Sequence, residues 1–326
     1  MEKEKELIIK SFLYFSSNLT GGNIYSKYVL RLLEERFEVL NVLDNLSKMR
    51  RIPKLFFYDH DNNNALELYD IMSLYYSKKV GNKSLALIYH IDNSALIRGN
   101  LKHIFYKLLE KNLYRLLKNT TIITISKFWN EVMTNRGYED VKLIYCCFDF
   151  DKYIRTEKEI EEFKAKYNLM NKKVIYIGNC QAAKGVYQVF HELKDTNYTL
   201  ITSGQKRCSL PIRNLILTFD DYINLLHAAD VTITMSLFNE GWCRTAHESM
   251  ICGTPVIGSG KGGMSELLKG GKQIICKNFS KLTDYLEMII DDNSYGKRAI
   301  DFATKDKFSL DTFNTQWIDL IRNNYI

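Results

Sequence analysis

Two glutamates, Glu240 and Glu248, stand eight residues apart in the stretch SLFNEGWCRTAHESMICGTPVIGSGKGGMSELL. A helix whose first turn falls near Arg244 to Ala246 would follow the loop Glu240, Gly241, Trp242 and Cys243. Successive backbone N–H groups of such a loop and helix start can converge on hydroxyl or phosphate oxygens. Two turns into the helix, the Glu248 carboxylate can accept both hydroxyls of a ribose. Together these groups describe a grip on a nucleotide sugar, whereas two glutamates at this spacing alone would read as solvated helix residues.

Immediately downstream, Gly258-Ser-Gly-Lys-Gly-Gly263 spells G-x-G-x-x-G, the dinucleotide-binding fingerprint. Its position speaks against NAD. A dinucleotide loop follows the first strand of its domain and is answered about 20 residues later by an acid for the ribose. This one follows roughly the fourth strand of the second half, and the next strand, KQIIC, ends without Asp or Glu. A P-loop fails as well, because Pro255 occupies the position five before Gly260-Lys261. The glycines are expected to bring backbone close to a nucleotide ligand other than NAD.

These residues need a frame to hold them. The chain has 326 residues, 46% apolar and 13% aromatic, which is too long for one ordinary core and implies about two domains. No apolar run approaches the roughly 18 residues of a membrane-spanning helix. The start, MEKEKELIIKSFLYF, lacks a cleavable secretory pattern, so the mature chain is expected to begin near Met1. Seven cysteines without C-x-x-C spacing fit a reducing cytoplasm and give no zinc pattern. The net charge of +7 is uneven: up to Arg155, 24 Lys plus Arg face 18 Asp plus Glu. Basicity of this size suits an anionic partner or membrane surface and equally suits ordinary solubility.

Apolar β-rich runs alternate with helical stretches, the pattern of parallel α/β sheets. Strands are expected at 7–15, 37–43, 54–58, 84–90, 121–125 and 141–145, then in KKVIYIG, YTLITSG, NLILTF, VTITMS, TPVIGS and KQIIC. The polar segment CCFDFDKYIRTEKEIEEF breaks the rhythm and places a domain boundary near 150–160. The expected organisation is residues 1–155, residues 156–305 and a closing helix over 306–326. Two such halves leave a cleft at the carboxyl ends of their sheets, where ligands of these folds bind. The closing helix carries Phe313, Trp317 and Leu320 on one face, and can pack back on the first domain or dock locally.

With that frame, E-x7-E followed by G-T-P-V-I and G-G-x-x-E-L is similar to the donor-site signature of retaining glycosyltransferases of family 4, which have the GT-B fold. The resemblance implies that Glu240 holds hydroxyls of the transferred sugar and that the amides of Gly241, Trp242, Cys243 and Arg244 contact sugar and phosphate. It implies that Glu248 binds the ribose, and that Gly262 and Gly263 lie in the loop and helix start beside the donor, with Glu266 in the helix that follows. VIYIGNCQAAKG resembles the family's strand, glycine loop and K-G helix start, which makes Lys184 the cation of the donor diphosphate. A compact ammonium suits a leaving group whose charge must be offset as it departs. The family usually has Arg where this chain has Asn179, so one phosphate cation is missing, with Arg244 and Arg207 as conjectured substitutes. FDDYINLLHAADVTITMSLFNEG matches the run into the motif and would set backbone near Phe219 to Tyr222 beside the base.

In the first half, SSNLTGGNIYSKYVLRLLEERFEV resembles the glycine loop after the first strand. There Gly21 and Gly22 would permit close backbone approach, and the helix start at Asn23 would offer its positive end. His90 ends SLALIYH and resembles the histidine that reaches the transferred sugar, with Asp92 two residues on to orient it or touch acceptor. Ser126 would open a helix, and the family's P-N-G-V-D linker has become Cys146-Cys147-Phe148-Asp149. The resemblance covers nearly the whole chain. It is strongest over 173–268 and weakest over 40–120, the region that normally shapes the acceptor site.

The expectation is therefore an α/β protein of the GT-B fold, two Rossmann-like domains facing a central cleft. Its activity would be that of a retaining glycosyltransferase moving a hexosyl-type sugar from a nucleotide-diphosphate sugar, UDP- or GDP-linked, to the hydroxyl of a glycan, lipid-linked or protein acceptor. His90, Lys184 and Glu240 would carry the chemistry. No metal is expected, since the D-x-D at Asp149-Phe-Asp151 lies in the linker, and no cofactor or nucleic acid. Two rivals are a nucleotide-sugar epimerase or hydrolase of the same fold and a non-catalytic sugar-nucleotide-binding protein. The first needs further acid/base residues; Asn179 and the altered linker speak for the second. The helix LKHIFYKLLEKNLYRLLKN places Leu101, Ile104, Phe105, Leu108, Leu109, Leu113, Leu116 and Leu117 at helical spacing among Lys102, Lys107, Lys111, Arg115 and Lys118. Such a helix can lie on an anionic membrane, which would make the enzyme peripheral on the inner face. The commoner arrangement turns its apolar face to the sheet and its basic face to water.

Overall fold

The computed structural model describes residues 7–15, 21–60, 65–92 and 100–326. The chain divides into two compact units, one running to Cys147 and including Leu310–Ile326, the other spanning Phe148–Ser309. Each holds a six-stranded sheet whose strand pairs are all parallel. In the first unit, β1 (Ile8–Ser11), β2 (Glu38–Asn41), β3 (Leu66–Asp70), β4 (Ser84–Ile88), β5 (Thr121–Thr124) and β6 (Val141–Leu143) lie in the order β2-β1-β3-β4-β5-β6.

The second unit contains β7 (Val174–Asn179), β8 (Thr199–Ser203), β9 (Arg213–Leu215), β10 (Val231–Thr234), β11 (Val256–Gly258) and β12 (Ile274–Ile275), in the order β12-β11-β10-β7-β8-β9. Its first three strands grow outward one way from β7 and its last three the other way from β10. This is the doubly wound order, which opens a crevice at the carboxyl ends of β7 and β10. Ile175, Ile177, Val231, Ile233 and Ile257 are buried in these central strands, as expected where helices cover both faces of a sheet. Thr156 and Thr218 start two covering helices by accepting the N–H groups of Glu159 and Asp221.

One expected strand is a helix. Residues 54–58 fall at the end of the helix Lys48–Phe56, and the third strand of the unit is LELYD instead. KLFFY has aromatic strand propensity, but only Leu55 among its residues is buried. The Arg51 guanidinium anchors that helix by donating to the carbonyls of Phe15 at 2.8 Å and Leu46 at 3.0 Å. LELYD is disguised by its two acids, yet all five residues are buried. Glu67 is tolerated there because it accepts from the Tyr69 hydroxyl and the Gly81 N–H, both at 2.7 Å, and lies 2.8 Å from His60 Nδ1. Asp70 accepts from the Ser73 N–H at 2.8 Å and so caps the helix Ile71–Tyr76. Burial would be prohibitive for either carboxylate without those donors.

The helix Asn100–Leu116 buries Leu113 and Leu116 but leaves Ile104, Phe105 and Leu108 more than half exposed. The expected docking of its whole apolar face on the sheet therefore holds only for its second half. The closing helix Leu310–Tyr325 belongs to the first unit. Phe313 meets Tyr25 edge-on at 5.4 Å between centroids, Trp317 is fully buried, and the Tyr325 hydroxyl lies 2.7 Å from Thr121 Oγ1. Among the described residues no helix is long and apolar enough to cross a membrane.

Candidate functional site

Of the residues singled out by spacing, Asn179, Lys184 and Cys243 line the crevice of the second sheet. A small depression, open to solvent, is lined by Gly178, Asn179 and Lys184 from the end of β7 and the turn after it, by Thr234 and Ser236 from the end of β10, and by Cys243 and Thr245. Sequence spacing missed Thr234, Ser236 and Thr245. For Thr234 and Ser236 the available signal was a polar residue at the end of a central parallel strand, and Thr245 lies within the E-x7-E stretch itself, in the helix Arg244–Ile251.

Lys184 ends the 3-10 turn Ala182–Lys184, and Gly185 follows it in the left-handed conformation, φ 73°. Gly185 is pressed against the Met235 carbonyl, where any Cβ would collide, and Leu237 N–H donates to the Ala183 carbonyl at 2.9 Å. The K-G pair is thus stitched to the strand end that leads into Glu240. Lys184 Nζ reaches Glu240 Oε1 at 2.5 Å and lies 5.0 Å from the Phe238 ring centroid. The Ser236 hydroxyl donates to the same carboxylate oxygen. Burial pulls the Lys184 pKa down, but the adjacent Glu240 carboxylate more than offsets it and leaves the ammonium above the ordinary lysine range.

The glycine stretch supports Glu240 from behind. β11 ends at Gly258, Gly260 and Gly262 take φ values of 65° and 64°, and the helix Met264–Gly270 follows. Gly262 forms a parallel bridge with Glu240, and Gly263 N–H donates to the Glu240 carbonyl at 2.9 Å. A side chain at Gly262 would run into the Glu240 backbone. Close backbone approach is therefore what these glycines permit, and the chain they approach is the protein's own loop.

Glu248 lies in the helix Arg244–Ile251 and is buried. Its carboxylate accepts from the Tyr222 hydroxyl at 2.9 Å, Arg244 Nη2 at 3.0 Å and the Tyr153 hydroxyl at 3.3 Å. A carboxylate offers about four acceptor sites, so a ribose presenting both hydroxyls would use the remaining one and replace one of these donors, most readily the long one from Tyr153. Arg244, conjectured as a phosphate cation, is engaged by Glu248 and stacks over Phe148 at 4.3 Å. Phe148 also lies 4.1 Å from the His247 ring, so the residue that replaced the usual linker pattern braces the motif helix. Arg207, the other conjectured cation, is exposed and donates to Gln205 Oε1 at 3.3 Å.

Trp242 points its indole into the core, donating to His247 Nδ1 at 2.8 Å, while His247 Nε2 faces the Ala303 carbonyl at 2.9 Å. That chain fixes His247 as the neutral Nε2–H tautomer, and burial holds its pKa down to about 3. Cys243 precedes the motif helix in the left-handed conformation, φ 73°. Burial, reinforced by Glu240, pushes its thiol up to about 12, so it is no nucleophile at neutral pH. Gly241 and Arg244 complete the turn whose amides precede the helix, which as in any helix start lack intrahelical acceptors.

Gly21, Gly22 and His90 belong to the first unit. The helix Gly21–Arg36 begins at Gly21, and a Cβ on Gly22 would lie 2.7 Å from the Tyr89 ring. The glycine pair thus lets the helix start close on the strand end that carries His90, and Tyr89 reaches on to the Ser26 hydroxyl. The residues 16–20 of the expected glycine loop lie outside the described residues.

Residues 157–306 match the family described as Glycosyl transferases group 1. A putative glycosyltransferase, YtcC of Bacillus subtilis (strain 168), is 27% identical over 188 residues, 47% of this chain and 46% of its own. The chain thus spans about half the length of the curated relatives it matches. HepE of Anabaena, solved in complex with UDP-glucose, superposes with a TM-score of 0.71 at 16% identity, covering 97% of this chain and 99% of its own. The sucrose-phosphate synthase of Thermosynechococcus elongatus gives a TM-score of 0.74 at 15% identity, covering 98% and 99%. At such identities the structural likeness establishes the fold, and that fold is GT-B.

Proposed function

We propose that this chain, whose residues 157–306 match the group 1 glycosyltransferases, is a retaining glycosyltransferase of family 4 that carries a hexosyl group from a nucleotide-diphosphate donor to an acceptor hydroxyl. The observation that carries the reading is the Lys184–Glu240 pair at the crevice of the second sheet, where residues 56 positions apart bring a cation and a carboxylate into one pocket. A diphosphate would take Lys184 from Glu240, and the released carboxylate would take sugar hydroxyls. As the bond between the anomeric carbon and the phosphate oxygen breaks, Lys184 and the amides from Gly241 to Arg244 offset the charge on the departing diphosphate. The acceptor oxygen bonds to the anomeric carbon on the face the diphosphate leaves, and its proton passes to the departing phosphate oxygen. In this reading His90 and the Gly21-Gly22 helix start serve the transferred sugar and acceptor from the first unit. The UDP-glucose bound by HepE makes UDP-hexoses the first donors to test.

Incubating the protein with UDP-, GDP- and ADP-sugars and a set of glycan and lipid-linked acceptors, with and without a chelator, tests the proposal. The expected product keeps the donor's anomeric configuration by proton NMR. Lys184→Ala should lower turnover at saturating donor, since leaving-group charge grows in the transition state. A rise in KM with turnover intact, or an isomerised donor formed without acceptor, overturns the reading.

A further inference from the structure

Two helices of the first unit take no part in the donor site. Lys48–Phe56 and Asn100–Leu116 both pack against Ile71–Tyr76. All three are crossovers between parallel strands that advance in one direction across the sheet, from β2 to β3, β3 to β4 and β4 to β5. Right-handed crossovers put such helices on one face, and Leu55, Leu74 and Leu113, one from each, meet in a single core cluster.

The outer side of this layer is apolar where water should be. Met49 is 87% exposed, Phe57 78%, Leu108 61%, Ile104 57% and Phe105 51%. Arg50, Lys54, Lys107 and Lys111 are exposed among them. Over these two helices eight Lys and Arg face a single acid, Glu110. Their +7 equals the net charge of the whole chain, so the rest of the protein is neutral. Single exposed apolar residues are ordinary, but several large ones on one layer, with the exposed cations Arg50, Lys54, Lys107 and Lys111 among them, mark an interaction surface. Nucleic acid would satisfy the cations and leave Phe57, Phe105 and Leu108 without partners. A second copy would set +7 against +7. A lipid surface satisfies both, because apolar side chains enter the boundary below the headgroups while Lys and Arg meet lipid phosphates.

We propose that the outer face of the helices Lys48–Phe56 and Asn100–Leu116 docks the first unit on an anionic bilayer. This surface is separate from the donor chemistry, and its test needs no turnover. The full chain is sedimented with vesicles of phosphatidylcholine alone and with about one-third phosphatidylglycerol. Binding to the anionic vesicles should be about ten-fold tighter or more, and should weaken as salt rises. Phe57→Ser with Phe105→Ser and Leu108→Ser should abolish binding to both. Lys54→Glu with Lys107→Glu and Lys111→Glu should erase only the preference for anionic lipid. Both variants change exposed residues, and an unchanged melting temperature and UDP affinity will show that they remain folded. Equal binding of wild type and variants overturns the proposal. So does a dimer, seen by sedimentation velocity without lipid, that the serine variant dissolves, or RNA binding that persists in that variant.

Discussion

Replacing Gly262 by alanine asks whether the glycines of GSGKGG serve a nucleotide directly or hold Glu240 in place. Gly262 has φ 64°, where an alanine costs about 1–2 kcal/mol more than glycine. A Cβ there would lie 2.7 Å from Glu240 N and 2.9 Å from the Asn239 carbonyl carbon, and would overlap the Glu240 carbonyl oxygen. All three are backbone atoms in the bridge that Gly263 N–H closes at 2.9 Å, so no rotamer relieves the collision. Overpacking of this kind adds about 1–3 kcal/mol, and the loss should total roughly 2–5 kcal/mol. For a unit of this size, that lowers the transition by about 5–15 °C. Differential scanning calorimetry would follow the second unit's transition, alongside turnover and calorimetric donor affinity. Turnover should fall by about 10²-fold if the Glu240 carboxylate shifts by about an ångström. Gly260→Ala is the control: its φ is 65°, but its Cβ meets Ile275 Cγ2 at 2.7 Å, a side-chain atom that can turn aside. A Gly262→Ala protein with normal melting and turnover but weak nucleotide binding would refute the supporting role and restore direct contact with the ligand.

Glu248→Ala should weaken nucleotide binding by about 1–3 kcal/mol and also lower the melting temperature, because Tyr222, Tyr153 and Arg244 lose their shared acceptor; unchanged UDP affinity in calorimetry would remove it from the ribose site. His247 is held neutral in the fold with a pKa of about 3, below the ordinary 6.5, so the unfolded chain takes up the extra proton as pH falls through 6.5 and stability drops. Between pH 7 and 5 that linkage amounts to about 2 kcal/mol, and His247→Gln should flatten the acid limb of a urea-denaturation series by that amount; a limb of unchanged slope would refute the assignment.

The sequence legible in this chain was mostly the part whose physics is local. Alternating apolar runs located the strands of the second unit, because both faces of a parallel strand demand the same residue types. LELYD escaped because Glu67 and Asp70 are tolerated only through partners at His60, Gly81 and Tyr14, which no local pattern announces. KLFFY misled for the converse reason, carrying aromatic residues that the fold leaves in solvent. The spacing of Glu240 and Glu248 was visible, but their surroundings were not. That Lys184 meets Glu240, that Arg244 is held by Glu248, and that the Trp242 indole faces His247 are consequences of β7, β10 and the motif helix converging.

The pairing of Lys184 with Glu240 sets the two halves of the proposed chemistry against each other, and Glu240→Gln separates them. Without donor, the ammonium is held in its charged form by a carboxylate 2.5 Å away. A diphosphate must compete with that carboxylate for the same cation. Glutamine keeps the shape and can still accept from Ser236 but removes the competing charge. UDP affinity should therefore rise. A pair at 4 Å is worth about 4 kcal/mol at an effective dielectric near 20. The Lys184 side chain is 28% exposed, and solvent screening reduces the recoverable part to about 1 kcal/mol, roughly five-fold in affinity. Turnover should move the other way, by about ten-fold or more, because hydrogen bonds from sugar hydroxyls to a charged acceptor are the stronger kind and only those that tighten in the transition state accelerate the step. Isothermal calorimetry with UDP and single-turnover kinetics with the donor would read the two effects independently. Loss of both would mean that Glu240 chiefly holds the phosphate turn in shape, and retention of both would remove it from the reaction.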